Sequence, residues 1–142
     1  MKLPKTIGFE INMLANLIMR NLNSEGDDGD GGLTGMQGWI IGYVIAKADQ
    51  AVFQRDIEKY FNIRRASVTG VLKLMERNGL IVREPVDYDA RLKKISLTQK
   101  AHLLHERNVQ RFMDFETRLR SGLSDEEITS FYAITEKLMK NI

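Results

Sequence analysis

Arg64-Arg65-Ala66-Ser67-Val68-Thr69-Gly70-Val71-Leu72-Lys73-Leu74-Met75-Glu76-Arg77-Asn78-Gly79 is the stretch on which the fold turns. Val68, Val71, Leu72 and Met75 recur at helical spacing and predict one inward face on a helix over 64–78. Arg65, Thr69 and Lys73 stand at i, i+4 and i+8, so they form a row on the other side. Ala66 and Gly70 flank that row and are small enough to let another surface come close. Gly79 supplies the left-handed stop.

Towards the N-terminus, Gln54–Phe61 reads as a short helix with Ile57 and Phe61 inward, joined to the first by the tight Asn62-Ile63 connection. Ala51-Val52-Phe53 before it is expected as one brief strand. Thr34-Gly35-Met36-Gln37 is a capping box, Thr and Gln each satisfying the other's free backbone N–H. It opens a helix to about residue 48 with Met36, Trp39, Ile40, Tyr43 and Val44 as apolar positions. Residues 6–22 make a further helix through Ile7, Ile11, Leu14, Leu17 and Ile18. The intervening run 24–32, rich in Asp and Gly, lacks the ligand spacing of an EF-hand and reads as a flexible acidic loop.

Towards the C-terminus, 80–84 and 92–97 alternate as two strands of a hairpin, with Pro85, Asp87 and Asp89 at a charged tip. Thr98 caps a long helix to about residue 120. Ser124-Asp125-Glu126-Glu127 is a second capping box and starts the last helix. The expected fold is mainly α with a small β-hairpin wing (α+β): a winged helix-turn-helix flanked by N- and C-terminal helices. The whole chain, 1–142, forms one such domain, with 33–97 as the winged part and 1–23 and 98–142 as helical dimerisation parts.

Charge separates the regions more than the total does. The net charge is only +2, yet 64–100 holds nine Lys and Arg against four Asp and Glu. Positive charge gathered in a quarter of the chain is the footprint of a phosphate-binding surface. A short helix, a tight turn, a basic helix and a basic hairpin make a helix-turn-helix whose second helix enters the major groove of double-stranded DNA. Arg65, Thr69 and Lys73 would then face base edges, with Gly70 beside them letting the groove wall come close. Arg64, Ser67 and Arg77 would hold phosphates, which position without specifying.

Several stretches resemble the MarR family of winged-helix regulators. They are Leu33-Thr34-x-x-Gln37, Arg65-Ala66-Ser67-Val68-Thr69, Leu74-x-x-x-Asn78-Gly79-Leu80-Ile81, and above all Asp89-Ala90-Arg91 followed by Leu97-Thr98-x-Lys100-Ala101. Ala101 stands where the family often has Gly, and the acidic loop is longer than usual. The resemblance implies that Arg91 enters the minor groove from the wing tip and that Asp89 orients it; Lys93, on the same basic hairpin, is a further DNA-binding candidate. It also implies a homodimeric repressor on a pseudo-palindromic operator, released by a small aromatic or phenolic ligand. Met13, Trp39 and Tyr43 are the candidate lining of that effector site. The apolar faces of the first and last two helices point to a twin subunit as well, because the DNA-reading module does not need them.

Other classes fare less well. With no cysteine, the chain has no disulfide, no thiolate ligand and no cysteine-based oxidant sensor. His102 and His105, with Glu106 adjacent, have the spacing of two metal ligands, but histidines on one helix face are more commonly solvated, so no metal or cofactor is expected. Nothing combines a nucleophile with a base or cradles a phosphate on glycines, which speaks against an enzyme. No run approaches the roughly 20 apolar residues of a membrane span, and the start lacks a secretory core, so a cytoplasmic protein without a membrane partner is expected. The alternative is a winged-helix protein-interaction module without DNA binding, a role that has no use for Arg65, Lys73, Asp89 and Arg91 together.

Overall fold

A computed structural model describes residues 4–24 and 32–142. Most of the acidic glycine stretch, 25–31, lies outside the described residues. The elements run α1 (Ile7–Ser24), α2 (Gly35–Ala46), α3 (Gln54–Phe61), α4 (Arg65–Arg77), β1 (Ile81–Val86), β2 (Asp89–Leu97), α5 (Gln99–Arg120) and α6 (Asp125–Lys140). The protein is therefore mainly helical with one antiparallel hairpin. It divides into two compact units, Met1–Val109 and Gln110–Ile142.

In the first unit the capping box at Thr34 and the stop at Gly79 do what the sequence predicts. Thr34 Oγ1 accepts from Gln37 N and Gln37 Oε1 accepts from Thr34 N, both at 3.2 Å. Asn23 Oδ1 accepts from Gly35 N at 2.9 Å, tying the end of α1 to the start of α2. The two helices meet closely there: a Cβ on Gly35 would stand 3.0 Å from Leu22 Cδ1. The turn from α3 to α4 passes through Asn62 in the left-handed region (φ 52). Gly79 (φ 72) ends α4 in a Schellman arrangement, with Leu80 N donating to Met75 O and Gly79 N to Glu76 O.

Four helices and the hairpin close one core. Ile40 and Ile41 from α2, Ile57 from α3, and Val68, Leu72 and Met75 from α4 are almost fully buried, with Ile81 and Ile95 from the strands and Ala101 and Leu104 from α5. Each such side chain contributes roughly 1.5–3 kcal/mol through burial. The Leu97-Thr98 step locks the hairpin to the end of α4. The Thr98 hydroxyl donates to Gly79 O, Thr98 N donates to Leu80 O, and Lys100 Nζ donates to Asn78 O. The same Thr98 oxygen accepts from Ala101 N and caps α5.

Two local expectations change. Ala51-Val52-Phe53 is not a strand; it makes a single link to the hairpin, Ile95 N to Val52 O at 2.8 Å, and α3 begins too soon afterwards for a ladder. The hairpin is also longer than expected. Pro85 belongs to β1, opposite Lys93, and Asp89 to β2, so only Asp87 and Tyr88 make the turn. Pro85 cannot donate to the ladder, and the register shifts between it and Val86, where such a residue is tolerated.

In the second unit, Ser124 Oγ accepts from Glu127 N and Glu127 Oε1 accepts from Ser124 N, completing the second capping box. Arg120 pairs with Glu116 at 2.8 Å and donates to the Tyr132 hydroxyl. No residue of α6 is buried. Among the described residues no helix is long and apolar enough to cross a membrane.

Candidate nucleic-acid interface

The row foreseen on α4 exists. Arg65 and Lys73 are exposed and Thr69 is half-buried between them. Gly70 is exposed too, and a Cβ there would meet nothing within 4 Å. Glycine in a helix interior costs roughly 0.5–1 kcal/mol against alanine, and packing within this chain gives no reason for it.

Across from this row lies the wing. Arg91 is 91% exposed at its side chain and is held from one side only, by Asp89. Asp89 Oδ1 accepts from Arg91 N at 2.9 Å and Nε at 3.3 Å, while Oδ2 accepts from Nη2 at 3.4 Å. These bonds, the backbone one foremost, hold the Asp89 carboxyl below its ordinary range, so it is charged at neutral pH. Folding helps keep it ionised; the grip on Arg91 persists as pH falls and is lost only as pH drops through the lowered value. The carboxylate fixes the base of the guanidinium and leaves the rest of the fork to solvent.

Between α4, α3 and the wing runs a cleft of about 420 Å³, lined by Arg55, Arg65, Arg83, Arg91 and Lys93, with Glu58 as its one carboxylate among the described residues. A second opening of about 410 Å³ is lined by Lys73, Lys93, Arg83 and Glu76, where Arg83 Nε lies 3.2 Å from Glu76 Oε2. The fold thus brings Arg65, Lys73, Arg91 and Lys93 around one concave, cationic face, with Asp89 beside it. Arg64, Ser67 and Arg77 do not line either cleft. Arg64 is the N-cap of α4, its carbonyl accepting from Ser67 N and Val68 N, and Arg77 stands in the last turn. All three are exposed on the same helix.

Arg55 and Arg83 were not foreseen as site residues, nor was Gln54, whose Nε2 donates to Thr69 Oγ1 at 2.8 Å. Arg55 lies 5.2 Å from the centre of the Phe53 ring, which supports its guanidinium at the mouth of the cleft. Each owes its place to contact between elements. The only local hint is that 54 and 55 open a helix, where N–H groups and basic side chains suit an anion.

Trp39 and Tyr43 lie on α2 and line a separate hollow of about 420 Å³ with Tyr60, Phe61 and Lys47. The Tyr43 ring stands 4.6 Å from that of Tyr60 and 5.9 Å from Phe61. Burial, with Asp56 and Tyr60 nearby, pushes the Tyr43 phenol up, so it stays a neutral hydroxyl. Met13, on α1, is not among the residues lining this hollow. His102 is exposed and His105 half-buried, and no three His, Cys, Asp or Glu among the described residues gather as a metal site would need.

Known proteins share these features. The profile of the MarR family matches residues 31–92. The chain is 29% identical over 122 residues to the uncharacterized HTH-type transcriptional regulator YwoH of Bacillus subtilis, covering 86% of this chain and 85% of that one. The crystal structure of the Staphylococcus aureus MepR–DNA complex superposes with a TM-score of 0.85 at 28% identity, covering 97% of this chain and 98% of that one. The transcription regulator MarR from Oenococcus oeni PSU-1 gives a TM-score of 0.77 at 27% identity over 95% and 99%.

Proposed function

We propose that this chain, which the profile of the MarR family of transcription regulators matches over residues 31–92, is a cytoplasmic, non-enzymatic repressor of that family that binds a pseudo-palindromic DNA operator as a homodimer. The observation that carries this reading is the convergence of Arg55, Arg65, Arg83, Arg91 and Lys93 on one cleft that holds, among the described residues, a single carboxylate. Such a surface attracts phosphates and releases their counterions. In this reading α4 lies in the major groove. Arg65, Thr69 and Lys73 meet base edges there, Gly70 lets the groove wall come close, and Arg64, Ser67 and Arg77 sit on phosphates. Arg91, steadied by Asp89, enters the minor groove, where a narrow width concentrates negative potential. Lys93 holds the backbone beside it.

A homodimer sets two such helices about one DNA turn apart, roughly 10 base pairs. Ile7, Ile11 and Leu14 on α1, and Phe131 and Ile134 on α6, are all half-exposed apolar residues that a second copy would cover. The aromatic hollow of Trp39, Tyr43, Tyr60 and Phe61, with Lys47 at its edge, has the chemistry for a small aromatic anion, the effector class in this reading.

The decisive experiment is binding to genomic fragments, including the protein's own promoter, across a salt series, for wild type and Arg91→Ala. Tight binding to one fragment, falling steeply with salt and weakened about ten-fold by Arg91→Ala, is expected from the loss of one minor-groove guanidinium (~1–3 kcal/mol). Wild-type protein that binds no fragment better than random DNA at low salt overturns the reading.

A further inference from the structure

Thr69, in the middle of the α4 row, is held from outside its own helix. Gln54 opens α3, and its amide nitrogen donates to Thr69 Oγ1 at 2.8 Å and to the Arg65 carbonyl at 3.5 Å. The Arg65 carbonyl fixes which end of the amide faces α4, because an amide oxygen there would meet another oxygen. A threonine hydroxyl has one proton and two lone pairs. Gln54 takes a lone pair and cannot take the proton. The usual resting place of a helical threonine proton is the carbonyl four residues back, here that of Arg65, and the Gln54 amide already stands on it. Among the described residues none accepts from the Thr69 hydroxyl. The proton is therefore left to point away from α3.

We propose that Gln54 is a positioning residue that sets the hydrogen-bond polarity of Thr69, so that Thr69 reads its base pair as a donor. This rests on α4 being the recognition helix. In the major groove a donor finds guanine O6 and N7, adenine N7 or thymine O4, whereas the amino groups of cytosine N4 and adenine N6 offer it nothing. Thr69 would thus favour an acceptor edge, and the preference is built by a residue that need touch no base. The same contact joins the two helices of the motif across 15 residues of sequence.

The test is selection of bound sites from randomised duplexes by wild type, Gln54→Glu, Thr69→Val and the double variant. Gln54→Glu keeps the shape and turns a donor into an acceptor. Thr69 then donates inward to the carboxylate and shows its lone pairs to the groove. The expected result is a change at one base pair of each half-site, from an acceptor edge towards an amino edge, by roughly five-fold, the weight of one hydrogen bond. The added negative charge weakens all sequences alike and leaves relative preferences unmoved. Thr69→Val flattens the preference at that same base pair, and the double variant matches Thr69→Val alone. Should Gln54→Glu bind no duplex, Gln54→Ala serves instead: the freed hydroxyl turns back to the Arg65 carbonyl and the preference flattens. A Gln54 variant that selects the wild-type operator, only more weakly, overturns the proposal and leaves the regulator reading intact. Wild type that selects no sequence overturns both.

Discussion

Helices α2, α3 and α4 differ from α1 and α6 in what they do with their apolar residues. The first three bury Ile40, Ile41, Ile57, Val68, Leu72 and Met75 within a single chain. Among the described residues α1 buries only Leu22, and α6 buries none, leaving Ile11 50% and Ile134 56% exposed. The helix-turn-helix and wing therefore hold their own core and present charge outwards. The flanking helices leave apolar surface exposed, the surface that the proposed homodimer would cover.

The sharpest way to break this comparison is a charge on the apolar row of α1. Ile7, Ile11 and Leu14 follow i, i+4 and i+7 spacing, so Ile11→Asp puts a carboxylate in the middle of that row. On a solvated face such a change stays within about 0.5 kcal/mol. In a dimer interface it buries an unpaired charge and costs several kcal/mol, raising the dimer dissociation constant by ~100-fold or more. Analytical ultracentrifugation should find one-chain mass where wild type shows two. A two-chain mass for the variant at every concentration would move the interface off α1.

Leu72→Ala probes the other region. Leu72 is 0% exposed, and deletion of so buried a side chain costs about 2–5 kcal/mol, depending on how far the cavity collapses. Urea denaturation should show this loss both in wild type and in the Ile11→Asp background. Equal costs mean that the core closes within one chain; unequal costs mean that core and interface melt as one structure.

Much of this contrast was legible in the sequence because it rests on local chemistry. The capping residues Thr34 and Ser124, the stop at Gly79 and the Asp89–Arg91 pair act over two or three positions, and each stands where expected. What was missed depends on approach between distant elements. Gln54 meets Thr69, Tyr60 meets Tyr43, and Arg55 and Arg83 reach the cleft only once α3 and the wing flank α4. The brief strand expected at 51–53 failed for a similar reason. Three extended residues look alike whether they join a ladder or make one bond, and only the position of Ile95 decides.

The smallest effect is also the most discriminating, because stability and binding should move in opposite directions. Gly70 lies mid-helix on α4 with open space where a Cβ would go. Gly70→Ala should therefore raise stability by about 0.5–1 kcal/mol, read as a shift in the urea midpoint, simply by relieving the glycine of its backbone entropy. Had the chain been shaped for stability alone, alanine would serve better here. If glycine is instead kept for close approach of a groove wall to the Arg65–Thr69–Lys73 row, the added methyl should weaken operator binding several-fold in anisotropy titrations. A variant both more stable and equally tight on DNA would show that α4 does not approach DNA along this row. The exposed face of α4 would then be no more specialised than any solvated helix, and its difference from α1 would be one of charge alone.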